Sequence, residues 1–225
     1  MRQVGAAARR AALSWVGTVA SIPAAGLALA LCSLAPAHSQ TFAALPDSSQ
    51  VQNLEAAGGA RPVQAWVQFC TRYPAECDVN PAEPATIALT GRLWKTLNAV
   101  NKQVNTKIKP RTDLEHWGIV DRWDLAEDGY GDCEDYQALK RKILVEQHGL
   151  PRRALRMTVV VDEQGEGHAV MMVRTDAGDF VLDNKRSTIL SWQDTGYVFV
   201  KREGQENRDW VSLGDRSSPA TTANR

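Results

Sequence analysis

The sequence predicts an α+β fold in which helices pack on an antiparallel sheet and one helix begins at a thiol. Three observations predict it. Residues 131 to 135 read Gly-Asp-Cys-Glu-Asp and open an amphipathic helical pattern with Tyr136, Leu139, Ile143 and Leu144 on one face. Three β-rich runs separated by turn residues follow between 154 and 184. Helical patterns that carry tryptophan, such as Leu93, Trp94, Leu97 and Val100, precede it. A chain of 225 residues, 44% hydrophobic and 23% charged, has the material for one well-buried core, so one domain is expected.

Taken in order, the first element is a targeting segment. Arg2, Arg9 and Arg10 precede an apolar run from Ala11 to Ala37, and no acidic residue occurs before Asp47, the pattern of a secretory signal over residues 1–39. A small-x-small site at Ala37-His38-Ser39 places cleavage before Gln40. An uncleaved signal would be the chain's membrane contact. Leu31 before Cys32 departs from a lipoprotein box, which requires a small residue there. Residues 40–62, with Ser48-Ser49-Gln50 and Ala57-Gly58-Gly59-Ala60, read as a mobile lead, and the folded domain is expected over 63–203. Cys70 and Cys77 flank a short loop containing Tyr73-Pro74, which suits a local disulfide.

Asp132 is placed to cap the helix that starts at Cys133, and His148-Gly149-Leu150-Pro151 stops it. A strand over Ala154–Val161, a turn at Asp162–Gly167, a strand over His168–Arg174, a turn at Asp176-Ala177-Gly178 and a strand from Asp179 to Asp183-Asn184 make a meander. From Gly204 the chain reads as a disordered tail through Ser217-Ser218-Pro219.

Charge excludes one class of function. Removing Arg2, Arg9 and Arg10 with the signal leaves 23 basic residues against 26 acidic, a formal charge of −3. No basic stripe interleaved with aromatics and no Gly-rich phosphate loop occurs, so nucleic-acid binding has no support.

The mature chain keeps Cys70, Cys77 and Cys133, an odd number in an oxidising setting, and the local pair leaves Cys133 as a thiol. In the first turn of a helix, unpaired backbone amides and the positive end of the dipole favour a thiolate. Asp132, Glu134 and Asp135 oppose this by like-charge repulsion, so they need a neutralising partner. His168 opens the second strand and Asp183 ends the third, which brings the two side chains level in adjacent antiparallel strands. Cys133 as nucleophile, His168 as base and Asp183 as the carboxylate that orients it make a triad. Taken singly, a strand histidine is more often structural and Asp-Asn more often a turn; it is their order after Cys133 that singles them out.

Gly131-Asp132-Cys133-Glu134-Asp135-Tyr136, Lys140-Arg141, Gly167-His168-Ala169-Val170 and Val181-Leu182-Asp183-Asn184 resemble the bacterial transglutaminase-like cysteine proteinases. The resemblance extends upstream through Trp66, Phe69-Cys70, Cys77, Asn101, Asp113, Trp117-Gly118 and Asp121-Arg122-Trp123, covering residues 64 to 200. It implies a papain- or transglutaminase-like fold, and it carries the nucleophile onto Cys133, the base onto His168 and the orienting carboxylate onto Asp183. It also implies calcium beside the nucleophile, held by Asp132 and Glu134 with Asp135, Asp113 and Asp121 as further contributors. A dication there would cancel the repulsion of the thiolate. A solvated acidic cap is the plain alternative. Trp117 is the tryptophan singled out for a substrate groove; the others read as core.

The resemblance further implies a periplasmic endopeptidase that cuts a large adhesin of the repeat-in-toxin kind at a dialanine site near its N-terminus, releasing cells from a biofilm. Its implied inhibitory partner is an inner-membrane receptor for cyclic di-GMP. Two other readings stay open on the residues alone: transglutaminase- or deamidase-type acyl transfer on glutamine, and a calcium-dependent binding module with an inert thiol.

Overall fold

In the computed structural model, residues 44–46, 51–214, 217 and 219 are described. The signal expected over 1–39 lies outside the described residues. Among the described residues four α-helices precede or flank the sheet: α1 (Gln64–Arg72), α2 (Gly91–Lys107), α3 (Asp113–Trp117) and α4 (Cys133–Glu146). Thr90 caps α2 by accepting from the Leu93 amide, 3.1 Å, and Thr112 caps α3 with Glu115 answering it in a capping box. Asp132 caps α4 as expected, with Asp135 three residues on accepting from the Asp132 amide. Gly149 at φ 65° ends that segment before Pro151.

The strands are β1 (Gly58–Ala60), β2 (Lys109–Pro110), β3 (Tyr130–Gly131), β4 (Leu155–Val161), β5 (Gly167–Thr175), β6 (Gly178–Leu182), β7 (Leu190–Ser191), β8 (Val198–Glu203) and β9 (Trp210–Ser212). Seven of them form one antiparallel sheet in the order β1-β9-β8-β4-β5-β6-β7. The β4-β5-β6 meander stands where the sequence places it, within a residue or two at each end. The remaining pair, β2 with β3, is parallel and ties the exit of α2 to the entry of α4.

Two expectations are corrected. Gly58–Ala60, expected in a mobile lead, and Trp210–Ser212, expected in a disordered tail, are strands that pair with each other along the β8 edge. Trp210 is buried and meets Trp66 edge to face at 5.5 Å. Backbone pairing with a distant strand and one large buried ring supply the order that local composition does not indicate.

Apolar clusters lie on both faces of the sheet, and β5 accordingly carries the unbroken apolar run Ala169-Val170-Met171-Met172-Val173 rather than an alternating one. On one face Leu97, Val100 and Val104 of α2 and Tyr136 and Leu144 of α4 pack on Met171, Val173, Phe180 and Leu182. Beside them Trp66 and Phe69 of α1 pack with Trp123, Met157, Ala169 and Cys133. A separate cluster holds Val160, Val170, Met172, Val181, Tyr197 and Phe199. The Cys70–Cys77 disulfide closes the turn after α1, as expected.

Candidate active site

The thiol comes from α4, the imidazole from β5, and the carboxylate from the residue just after β6. Cys133 is the first residue of α4, and its Sγ accepts from the Ala169 amide at the start of β5, 3.3 Å. His168 precedes that amide by one residue. Its Nε2 lies 2.9 Å from Asp183 Oδ1, so the two side chains meet, although the β5–β6 register sets Asp183 diagonal to His168 rather than level with it as expected. Nε2 being engaged, Nδ1 is the ring nitrogen left for proton exchange; it is buried without a hydrogen-bond partner. Cys133 and His168 are wholly buried and Asp183 is 3% exposed.

Asp183 is gripped at both oxygens. Oδ1 also accepts from the Lys185 amide at 3.0 Å, and Oδ2 accepts from the Tyr197 hydroxyl at 2.7 Å. Burial works against its charge, but the His168 bond, the charge of that ring and the Tyr197 hydroxyl hold it below the ordinary carboxylate value. The Cys133 thiol is pushed well up, first by burial and then by Glu134 and Asp132. Its proton points at Glu134 Oε2, 3.0 Å away.

The acidic residues near Cys133 fall into two groups. Oxygens of Asp113, Asp121 and Glu134 lie within 4.8 Å of one another, and so do those of Asp113, Asp132 and Asp135, so Asp113 belongs to both groups. Burial first, and then the charge of Asp113, push Asp132 up to about 7; burial, with Asp121 adding to it, pushes Asp113 to about 6. Glu134 and Asp135 go well above the usual range, from burial and then Asp132. Asp113 Oδ1, Asp132 Oδ1 and Glu134 Oε1 are buried without a donor. Buried carboxylate oxygens that repel one another and lack donors fit a hard dication, and their all-oxygen character fits calcium.

Trp117 is the last residue of α3. It is 39% exposed, stacks on His116 at 4.0 Å and lies under the Arg122 guanidinium at 4.1 Å. With Tyr73, Asp124 and Tyr130 these residues line a cleft of about 230 Å³ whose wall includes Asp135, on the acidic side of the site.

Comparison with family profiles matches residues 56–218 to the bacterial transglutaminase-like cysteine proteinases. The chain belongs to this family. The match runs past the 64–200 span of the sequence resemblance at both ends and takes in β1 and β9. Among solved structures, this proteinase is similar to LapG of Legionella pneumophila in calcium-bound form, at 25% identity over 57% of this chain and 74% of that one, TM-score 0.47. It is similar also to another structure of that LapG, 24% identity over 68% and 83%, TM-score 0.45, and to an EGTA-treated one, 22% identity over 71% and 84%, TM-score 0.45. No curated protein matches it.

Sequence reasoning assigned no role to three residues around the site of this proteinase. Gln137, one turn beyond Cys133 on α4, donates to Asn184 Oδ1 at 3.3 Å and accepts from Lys140 Nζ at 3.2 Å. Lys140 is wholly buried, and burial pushes it down to about 7 against the pull of Asp183. The i, i+4 spacing from Cys133 to Gln137 was the available signal. Tyr197, the third, had none: it arrives from beyond β7.

Proposed function

We propose that this cysteine proteinase is a calcium-dependent endopeptidase that uses Cys133, His168 and Asp183. The observation that carries this reading is the contact of His168 Nε2 with Asp183 Oδ1 at 2.9 Å, next to the amide that holds Cys133 Sγ. His168 Nδ1 takes the thiol proton, the thiolate attacks a peptide carbonyl, and the same proton passes to the leaving amine as the thioester forms; water then releases the acid. The Cys133 amide, in the first helical turn where intrahelical acceptors are lacking, would donate to the oxyanion. Asp183 keeps the proton on Nε2 so that Nδ1 can accept.

Asp132 and Glu134 would hold calcium, with Asp113, Asp121 and Asp135 supplying further oxygens. The bound ion supplies positive charge that offsets the carboxylates raising the thiol. On the family resemblance, the substrate is the N-terminal region of a large surface adhesin cut at a dialanine bond. The setting is the periplasm, the outcome is biofilm dispersal, and the restraining partner is an inner-membrane cyclic di-GMP receptor.

The test is cleavage of an adhesin N-terminal fragment by wild type and Cys133→Ala, each with calcium and with a calcium chelator. Cutting at the dialanine bond by wild type with calcium alone is the expected result. Cutting that survives Cys133→Ala overturns the mechanism, and cutting undiminished by the chelator overturns the calcium requirement. Amine incorporation into glutamine without chain cutting would move the reading to transamidation.

A further inference from the structure

We propose that Tyr197 is a positioning residue of this proteinase: its hydroxyl fixes the Asp183 carboxylate and, through it, the orientation of the His168 imidazole. The inference rests on the reading of His168 and Asp183 as partners of Cys133, and it adds a fourth side chain to them.

Asp183 stands one residue beyond the end of β6, whose last ladder pair is Leu182 with Met171. The sheet therefore fixes the backbone up to its neighbour and leaves the carboxylate free to turn about its Cβ–Cγ bond, a torsion with broad minima. A turn of that bond swings Oδ1 out of the plane of the imidazole and weakens the bond at Nε2. Holding both oxygens prevents it. The Lys185 amide holds Oδ1 at 3.0 Å, and the Tyr197 hydroxyl holds Oδ2 at 2.7 Å.

Tyr197 is itself fixed. It follows Gly196, at φ 76°, and its amide donates to Thr195 Oγ1 at 3.1 Å. Its ring meets His168 edge to face at 5.7 Å and has the Arg186 guanidinium 5.3 Å above it. Arg186 pairs with Glu163 in the turn between β4 and β5, and Lys185 pairs with Asp162 in the same turn. The loop after Asp183 is thus tied to the turn before His168, and Tyr197 enters beneath the tie. The topology brings it there: Val198 pairs with Val161 and His168 with Val160, so the start of β8, the end of β4 and the start of β5 share one end of the sheet.

The test uses the full calcium-loaded chain and Tyr197→Phe, which keeps the ring against His168 and removes one donor. Two readouts need no adhesin: the rate at which iodoacetamide alkylates Cys133 at neutral pH, and the solvent exchange of the His168 Nε2 proton by NMR. Losing a hydrogen bond to a charged group should slow alkylation about tenfold and speed proton exchange by about the same factor. Phe199→Leu, in the same buried cluster, should lower the melting temperature and leave both readouts alone.

Alkylation of Tyr197→Phe within about twofold of wild type, with unchanged proton exchange, overturns the inference, because that is below the loss of even a weak hydrogen bond. The same changes in Phe199→Leu overturn it too, since general loosening would then be the cause. Failure of Tyr197→Phe to fold assigns the tyrosine to stability and likewise overturns it. A wild-type Cys133 that reacts no faster than free cysteine is a different failure: it removes the nucleophile reading on which the inference rests.

Discussion

Glu203→Gln removes a negative charge that two buried arginines share, and the structure sets the size of the effect. Glu203 Oε2 accepts from Arg141 Nη1 at 2.5 Å and from the Met157 amide at 3.0 Å, with Arg156 Nη2 at 3.9 Å, while Oε1 accepts from Trp66 Nε1 at 2.6 Å. Arg141 and Arg156 are fully buried and Glu203 is 3% exposed. Glutamine can still accept one bond, but its amide turns a donor toward donors and leaves the guanidinium charge without its counterion. Breaking a buried pair from one side costs roughly 3–5 kcal/mol. At about 2–4 °C per kcal/mol for a domain of this size, the melting temperature should fall by on the order of 10 °C. Arg141 lies on the helix that starts at Cys133, so the upper temperature limit of activity should fall with it.

The assay is urea and thermal unfolding of both proteins across pH. Although burial opposes it, the charges of Arg141 and Arg156 hold Glu203 below its ordinary value of 4.5. A depressed carboxylate contributes stability that is present above its unfolded value and lost as pH falls through the folded one. The gap between wild type and variant should therefore be full at neutral pH and close on acidification below 4.5. A gap under about 1 kcal/mol at neutral pH, or one that does not narrow in acid, would refute the assignment of this charge to α4's anchorage.

Other expectations follow from single contacts. Replacing Cys70 and Cys77 by serine opens a loop of sequence separation 7 and should cost about 2–3 kcal/mol, read as a lower urea midpoint at unchanged slope. A Cβ at Gly131 would sit 2.6 Å from Asp135 Oδ2, so Gly131→Ala must move that carboxylate; about 1–3 kcal/mol of stability should go, and calcium titration should show weaker binding. Lys140 is pushed down to about 7 by burial, so the folded state resists its protonation, and wild type should gain stability as pH rises from about 7 toward 10.5. Lys140→Met should lack that gain, and parallel melting curves across this range in the two proteins would contradict it.

The chain by itself determined what local pattern and nearest-neighbour register control. Asp132 before an apolar face marks a helix start, β-branched runs between turns mark a meander, and adjacent antiparallel strands bring His168 and Asp183 to the same end of the sheet. The Cys70–Cys77 pair was legible because so short a loop closes at small entropic cost. Tertiary structure alone decided the rest, because it depends on partners far apart in sequence. β1 and β9 are strands because each completes the other's backbone hydrogen bonds across about 150 residues of chain. Asp113 and the half-buried Asp121 join Glu134 in one cluster because the β2–β3 pair draws α3 and the loop after it against the head of α4. Tyr197 reaches Asp183 because β8 lies beside β4 rather than beside β6, and composition holds no record of which strand a strand will choose.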